Sequence, residues 1–168
     1  MKSPTVVLCL VVALCLLPAS GLSQNQTNPG FEKLKTLVGD WEGKNADGKP
    51  VRVTYRIVSS GTAVLETLDP EGEMEMVTVY TQDLDQVAVT HYCAANNQPR
   101  MRTKANPPDP TELDFQFTGA TNLKTPGEGH MHRLVLVLES NDSFTQKWTF
   151  REQGKPDAVE IFHFTRKK

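Results

Sequence analysis

Apolar and polar side chains alternate through most of the chain beyond residue 50. The alternation is clearest over 51–57, 87–93, 113–117 and 144–150, and weaker over 62–68, 74–82, 100–104, 130–139 and 158–166. Because successive side chains of a β-strand point to opposite faces, each segment is predicted to be a half-buried strand. Turn residues separate the segments about every ten residues, which is typical of about nine or ten antiparallel strands.

A short helix is predicted before the strands. Asn28 followed by Pro29 is typical of a helix N-cap and first turn. The apolar positions 31, 34, 37 and 38 then fall on one helical face, and Gly39 ends the pattern. We therefore expect about two helical turns that pack against a larger body.

A sheet of this many strands with one apolar face must either close on itself or expose two edges. The pattern favours closure, so the predicted fold is all-β: a closed antiparallel up-and-down β-barrel of about 8–10 strands with a short N-terminal helix. No repeat or composition shift divides the segment 31–168, which we expect to be a single domain. A barrel of this size encloses room for side chains or for one small ligand.

The first 23 residues have the pattern of a secretory signal peptide. Lys2 precedes an apolar run at 6–17, and small residues follow, so that cleavage after Gly21 or Ser23 is expected. The run is shorter than the ~20 residues of a spanning helix. We expect an exported protein, periplasmic or secreted, without stable membrane insertion after cleavage; an uncleaved anchor is the alternative. Residues 24–30 are predicted to be a flexible lead-in.

Charge and cysteine content narrow the function classes. The whole chain has 18 basic and 20 acidic residues, a net charge of −2, and lacks the basic stripe that nucleic-acid binding needs. We therefore expect no nucleic-acid partner. Removal of the leader leaves Cys93 as the one cysteine, which excludes an internal disulfide.

The Gly39-x-Trp41 pair and the terminal Arg166 resemble the calycin superfamily of lipocalins, fatty-acid-binding proteins and related barrels. In those families the tryptophan closes one end of the barrel, and a basic side chain of the last strand lies across it. The resemblance implies that Gly39, Trp41 and Arg166 are closure residues. It also implies a container that holds a ligand.

Two segments carry a more specific resemblance. Residues 37–43 and 90–101 are similar to a family of small exported bacterial proteins with no assigned function, over nearly all of the mature chain. That similarity implies a fold and a compartment, but no activity. Nitrobindin-type haem barrels resemble the chain more distantly through the same Gly-x-Trp opening, and no residue here is assigned as their haem-ligating histidine.

The alternation also selects candidate ligand-binding residues on the apolar faces of the strands. We expect a small apolar or amphipathic molecule in the interior, with no cofactor assigned and binding favoured over catalysis. The predicted lining residues are Tyr55, Tyr80, His91, Cys93, Arg100, Phe115, Phe117, His130, His132 and Trp148.

Several alternatives remain open from the sequence. His91, His130 and His132 would bind a metal or haem if they converge, since imidazole ligates zinc, copper and iron. Cys93 beside His91 would be a nucleophile with a neighbouring base. Arg100 would anchor an anionic group if it points inward, and the pattern does not decide which face of 100–104 does. A protein that acts through its outer face is the last alternative.

Overall fold

The computed structural model describes residues 27–104 and 111–168; the predicted leader and the Pro-rich segment 106–110 lie outside these ranges. The described chain forms one short α-helix, a single 3-10 turn at Ser59–Gly61 and ten strands. Their bounds are α1 (Pro29–Lys35), β1 (Gly39–Lys44), β2 (Pro50–Val58), β3 (Ala63–Pro70), β4 (Met76–Asp83), β5 (Gln86–Tyr92), β6 (Gln98–Thr103), β7 (Glu112–Thr121), β8 (His130–Leu138), β9 (Ser143–Arg151) and β10 (Ala158–Arg166).

The strands form a closed up-and-down barrel. Each strand pairs antiparallel with its neighbours along the chain, and β1 pairs with β10 to close the sheet. Closure leaves no unpaired sheet edge. The fold class predicted from the alternation is confirmed, because every strand presents one apolar face to a common interior.

The side chain of Trp41 and the helix α1 together close one end of the barrel. Asn28 caps α1 by accepting a hydrogen bond from Phe31 N at 3.0 Å. Phe31 and Leu34 are buried beneath the helix, and Trp41 on β1 is 1 % exposed. The indole Nε1 of Trp41 donates to Leu37 O at 2.7 Å, so its polar atom is satisfied at full burial.

Arg166 covers Trp41 from the outside. The guanidinium carbon lies 4.0 Å from the ring centroid, and Trp41 and Arg166 are direct partners in the β1–β10 register. The guanidinium also donates to Thr36 O at 2.9 Å and to Val38 O at 2.8 Å. Gly39 has φ +128°, and a Cβ there would lie 3.0 Å from Arg166 Nη1. Glycine therefore permits both the backbone turn and the close approach of the arginine.

The antiparallel register places five turns at the end of the barrel opposite Trp41 and α1. They connect β1 with β2, β3 with β4, β5 with β6, β7 with β8, and β9 with β10. We call this end of the barrel the open end. In residues 27–104 and 111–168, no helix is long and apolar enough to cross a membrane.

Candidate functional site

A buried carboxylate organises the middle of the barrel interior. Glu66 on β3 is fully buried, and its Oε2 accepts hydrogen bonds from Tyr55 Oη at 2.6 Å and Tyr80 Oη at 2.7 Å. The side-chain amide of Gln146 on β9 donates to the same oxygen at 2.9 Å and to Tyr55 Oη at 2.7 Å. Several hydrogen-bond donors converge on this carboxyl group, and such donors favour its ionised form.

Burial and hydrogen bonding oppose each other at this carboxyl group. Burial raises the pKa of Glu66 above its ordinary value, and the hydrogen bonds from Tyr55 and Tyr80 act in the other direction. Burial also raises the pKa of both tyrosines, with the neighbouring Glu66 charge as a further cause, so both phenols keep their protons. The tyrosines therefore act as donors to the carboxylate.

The hydrogen bonds around Glu66 continue through Thr78 to His91 on β5. We call Glu66, Tyr55, Tyr80, Thr78, Gln146 and His91 the network. Thr78 Oγ1 lies 3.3 Å from Glu66 Oε1 and 2.9 Å from His91 Nδ1. The threonine hydroxyl donates its hydrogen to the carboxylate, so its oxygen accepts a hydrogen bond from the imidazole N–H. We therefore assign the Nδ1–H tautomer to His91, which leaves the Nε2 lone pair directed away from the network.

His91 Nε2 has no hydrogen-bond partner within the described part of the chain, although His91 is only 1 % exposed. A buried polar atom without a partner costs about 1–3 kcal/mol. Asn97 Oδ1, at the turn between β5 and β6, is the other such atom that the described residues contain. His91 alone of the two residues lines an interior cavity.

That cavity lies between the network and the open end and has a volume of about 330 Å³. Its size is at the lower end of the range for small-molecule sites. His91 forms part of its wall, and the His91 ring lies 4.5 Å from the Trp148 ring. The main apolar lining residues are Leu68, Met76, Met131, Trp148, Phe150 and Phe162.

Burial lowers the pKa of His91 to about 4 from its ordinary 6.5, so the imidazole is neutral at pH 7. Because the unfolded chain binds a proton between these values and the native state does not, stability falls as the pH drops from 6.5 towards 4. We expect this residue to account for a loss of about 3 kcal/mol in the free energy of unfolding between pH 7 and pH 4.

Urea unfolding of the wild type and His91→Gln at the two pH values measures this contribution. The raised pKa of Glu66 acts in the opposite direction in both proteins, so the difference between them isolates His91. Equal pH dependence of the two proteins would show that His91 is not held neutral by burial.

The aromatic candidates divide between the network and the cavity. Tyr55 and Tyr80 bind Glu66 and do not line the cavity, whereas Trp148 lines it and donates through Nε1 to Gln146 Oε1 at 3.1 Å. Phe115 packs edge-on against Tyr80, with ring centroids 5.7 Å apart.

The structure places His130 and His132 outside the cavity lining, beside Phe117. His130 Nε2 lies 3.2 Å from His132 Nδ1, and both rings pack on Phe117 with centroid separations of 4.5 Å and 5.1 Å. The cause is a β-bulge, since the register with β9 skips His132 between Met131 and Arg133. The extra residue shifts the alternation, and Met131 faces the cavity instead.

Ring nitrogens of these two histidines also lie within hydrogen-bond distance of other protein groups. His130 Nδ1 lies 2.8 Å from Glu128 O, and His132 Nε2 lies 2.6 Å from Arg151 Nη1. The three histidines of the metal alternative therefore do not form one cluster. In the described ranges, no group of three or more His, Cys, Asp or Glu side chains is placed to hold a metal ion.

Arg100 and Cys93 also lie outside the cavity lining. Met101 and Thr103 are buried, so the alternation directs Arg100 to the exposed outer face of β6. Cys93 follows the end of β5 and is partly buried, and burial raises the pKa of its thiol. A raised pKa keeps the thiol protonated, which disfavours the nucleophile alternative.

Three polar members of the network were missed in the sequence: Glu66, Thr78 and Gln146. The sequence does indicate them, because each is a polar residue at a position where the alternation of its strand predicts an inward-facing side chain. Glu66 lies between Val64 and Leu68 on that face, and Gln146 lies between Phe144 and Trp148. A polar residue at such a position must find a buried partner.

A larger open groove of about 910 Å³ runs over the outside of β1, β2 and β10. Side chains of both charges line it, including the exposed Lys44 and Arg52 and the partly buried Asp69. Neither of the two unpartnered buried polar atoms found among the described residues belongs to a residue that lines this groove. The interior cavity is therefore the stronger candidate site.

Comparisons with known proteins establish the fold alone. No protein-family model matches the chain, and no curated protein matches it. Among solved structures, Rv2717c from M. tuberculosis is similar with a TM-score of 0.58 at 12 % identity, over 83 % of this chain and 98 % of that one.

Two further structures are less similar. A DUF3598-family protein of unknown function from Nostoc punctiforme has a TM-score of 0.49 at 13 % identity, over 80 % of this chain and 49 % of that one. The protein EF1p2_mFAP2b, bound to DFHBI, has a TM-score of 0.37 at 10 % identity, over 84 % of this chain and all of that one. Scores and identities this low carry no argument about function.

Proposed function

We propose that this protein reversibly binds a small, largely apolar molecule in the interior cavity, and that an O–H or N–H group of the ligand donates to His91 Nε2. The observation that carries the proposal is a fully buried imidazole nitrogen without a protein partner, on a residue that lines a largely apolar cavity. A donor from a ligand would offset the cost of that unpaired acceptor. Such a site combines apolar inner walls with a few placed polar groups, as ligand sites commonly do.

The network behind His91 supports a binding role. Glu66 fixes the direction of the Thr78 hydroxyl, which in turn fixes the imidazole tautomer. The acceptor is therefore pre-organised, which reduces the ordering that a ligand must impose. The lowered pKa of His91 keeps the nitrogen neutral and free to accept at pH 7.

Two naphthalene probes that differ by one methyl group on the oxygen test the donor requirement. We expect 2-naphthol to bind about tenfold more tightly than 2-methoxynaphthalene, because only the first donates a hydrogen bond to the buried nitrogen. His91→Leu should remove that difference while leaving apolar binding in place. Titration by fluorescence or calorimetry measures both dissociation constants.

Phe31→Leu is a matched control, since Phe31 packs at the closed end and should leave the ratio of the two constants unchanged. Equal binding of the two probes to the wild type, or an undiminished preference in His91→Leu, would contradict the donor role. Native mass spectrometry of the freshly purified protein supplies the ligand's mass. It would equally reveal a metal or haem, the remaining alternative for His91.

We also infer that the chain is exported, on the strength of the leader pattern in residues 1–23. The N-terminal residue of the protein recovered outside the cytoplasm tests this. A chain recovered there should begin at Leu22 or Gln24.

A further inference from the structure

Three carboxylates lie at the mouth of the interior cavity. Asp47 belongs to the turn between β1 and β2, Glu73 to the turn between β3 and β4, and Glu160 to the first part of β10. Glu160 Oε1 accepts a hydrogen bond from Ala46 N at 3.3 Å, which ties β10 to the first of these turns. We call the three residues the acidic rim.

The charge of the cavity lining is one-sided. No lysine or arginine occurs among the described residues that line the cavity, so no basic side chain of the lining balances the acidic rim. At the inner end, His91 Nε2 is buried and unpartnered, and it presents a lone pair. The inner end therefore favours a hydrogen-bond donor, the rim favours positive charge, and both disfavour a carboxylate.

The positions of the two features determine where a cation would lie. A full charge beside His91 would lose its hydration in a fully buried setting, at a cost of several kcal/mol without a paired charge. At the rim it would stay partly hydrated and close to carboxylates. Glu160 is also the β-sheet partner of Trp148, so an aromatic side chain borders the same region.

We propose that the cavity selects organic cations: an apolar body fills it, an O–H or N–H end meets His91, and an ammonium group lies at the acidic rim. This inference rests on the proposed function. It specifies that the ligand is positively charged, and this preference depends on the acidic rim and not on the cavity walls.

Three probes with the same phenol and different charges test the inference. Tyramine carries an ammonium group, tyrosol is neutral, and 3-(4-hydroxyphenyl)propionate carries a carboxylate. We expect tyramine to bind about tenfold more tightly than tyrosol, and the propionate to bind at least about tenfold more weakly than tyrosol. The preference should decrease as salt is raised, because the rim is solvated.

Rim variants assign the preference to its source. The triple variant Asp47→Asn, Glu73→Gln, Glu160→Gln should reduce the ratio of tyramine to tyrosol affinity to about threefold or less. Glu32→Gln is the control, because it removes the same type of charge from the closed end. Each single variant should remove part of the effect, which keeps the test valid if the triple variant does not fold.

The outcomes separate this inference from the proposed function. If 2-naphthol binds with its donor preference but tyramine shows no advantage over tyrosol, the cation inference is wrong and the binding function stands. An advantage that survives loss of the rim carboxylates also overturns the inference. If neither 2-naphthol nor any of the three phenols binds, both proposals fail.

Discussion

Glu66→Ala should lower the free energy of unfolding by about 3–5 kcal/mol. The substitution leaves the hydroxyls of Tyr55 and Tyr80 and one N–H of Gln146 without their acceptor, and it opens a void between them. Urea unfolding at pH 7 measures the loss. Glu66→Gln keeps the side-chain volume, so the difference between the two variants separates the void from the lost carboxylate.

Glu66→Ala should also alter the ligand site, although Glu66 does not line the cavity. Once the carboxylate is removed, the Thr78 hydroxyl is free to donate to His91 Nδ1, which places the imidazole proton on Nε2. The cavity would then present a donor, and the preference for 2-naphthol over its methyl ether should disappear. A loss below about 1 kcal/mol in Glu66→Ala, or an unchanged probe preference, would show that the network neither supports the core nor orients His91.

Trp41→Ala should cost about 3–5 kcal/mol of stability and leave ligand binding intact. Trp41 is buried at the closed end, where it packs edge-on against Phe144 at 4.8 Å and supports the guanidinium of Arg166. It is not among the residues that line the cavity. Denaturant unfolding and 2-naphthol titration of the same preparation measure the two effects.

Trp41→Phe is the conservative partner of that variant and should lose less stability. It also keeps the test valid if Trp41→Ala is too unstable to purify, since a loss of this size is a large share of a typical domain's stability. Folded Trp41→Phe with 2-naphthol affinity reduced tenfold or more would show that closure and ligand binding are coupled, against our account.

The barrel was predictable because closure follows from local patterns. Each strand repeats an apolar side chain every second residue, and short turns separate the strands, so an antiparallel meander with one buried face results. The helix before Gly39 was also readable, since Asn28 and Pro29 carry a cap and first-turn signal. These features depend on neighbours in sequence.

The site was only partly predictable because it depends on contacts between distant strands. His91 and Trp148 were identified from alternation, but their meeting with Gln146 and Glu66 joins β3, β5 and β9, which no local pattern reports. At β8 a single bulged residue, His132, reversed the expected facing of the histidines.

The most direct test of the account is the nitrogen NMR spectrum of the His91 side chain with and without ligand. At pH 7 we predict an unprotonated Nε2 and a protonated Nδ1, with the Nε2 resonance shifted by 2-naphthol and left nearly unchanged by 2-methoxynaphthalene. A protonated Nε2, or equal responses to both probes, would contradict the claim that a ligand donates to His91 in the cavity.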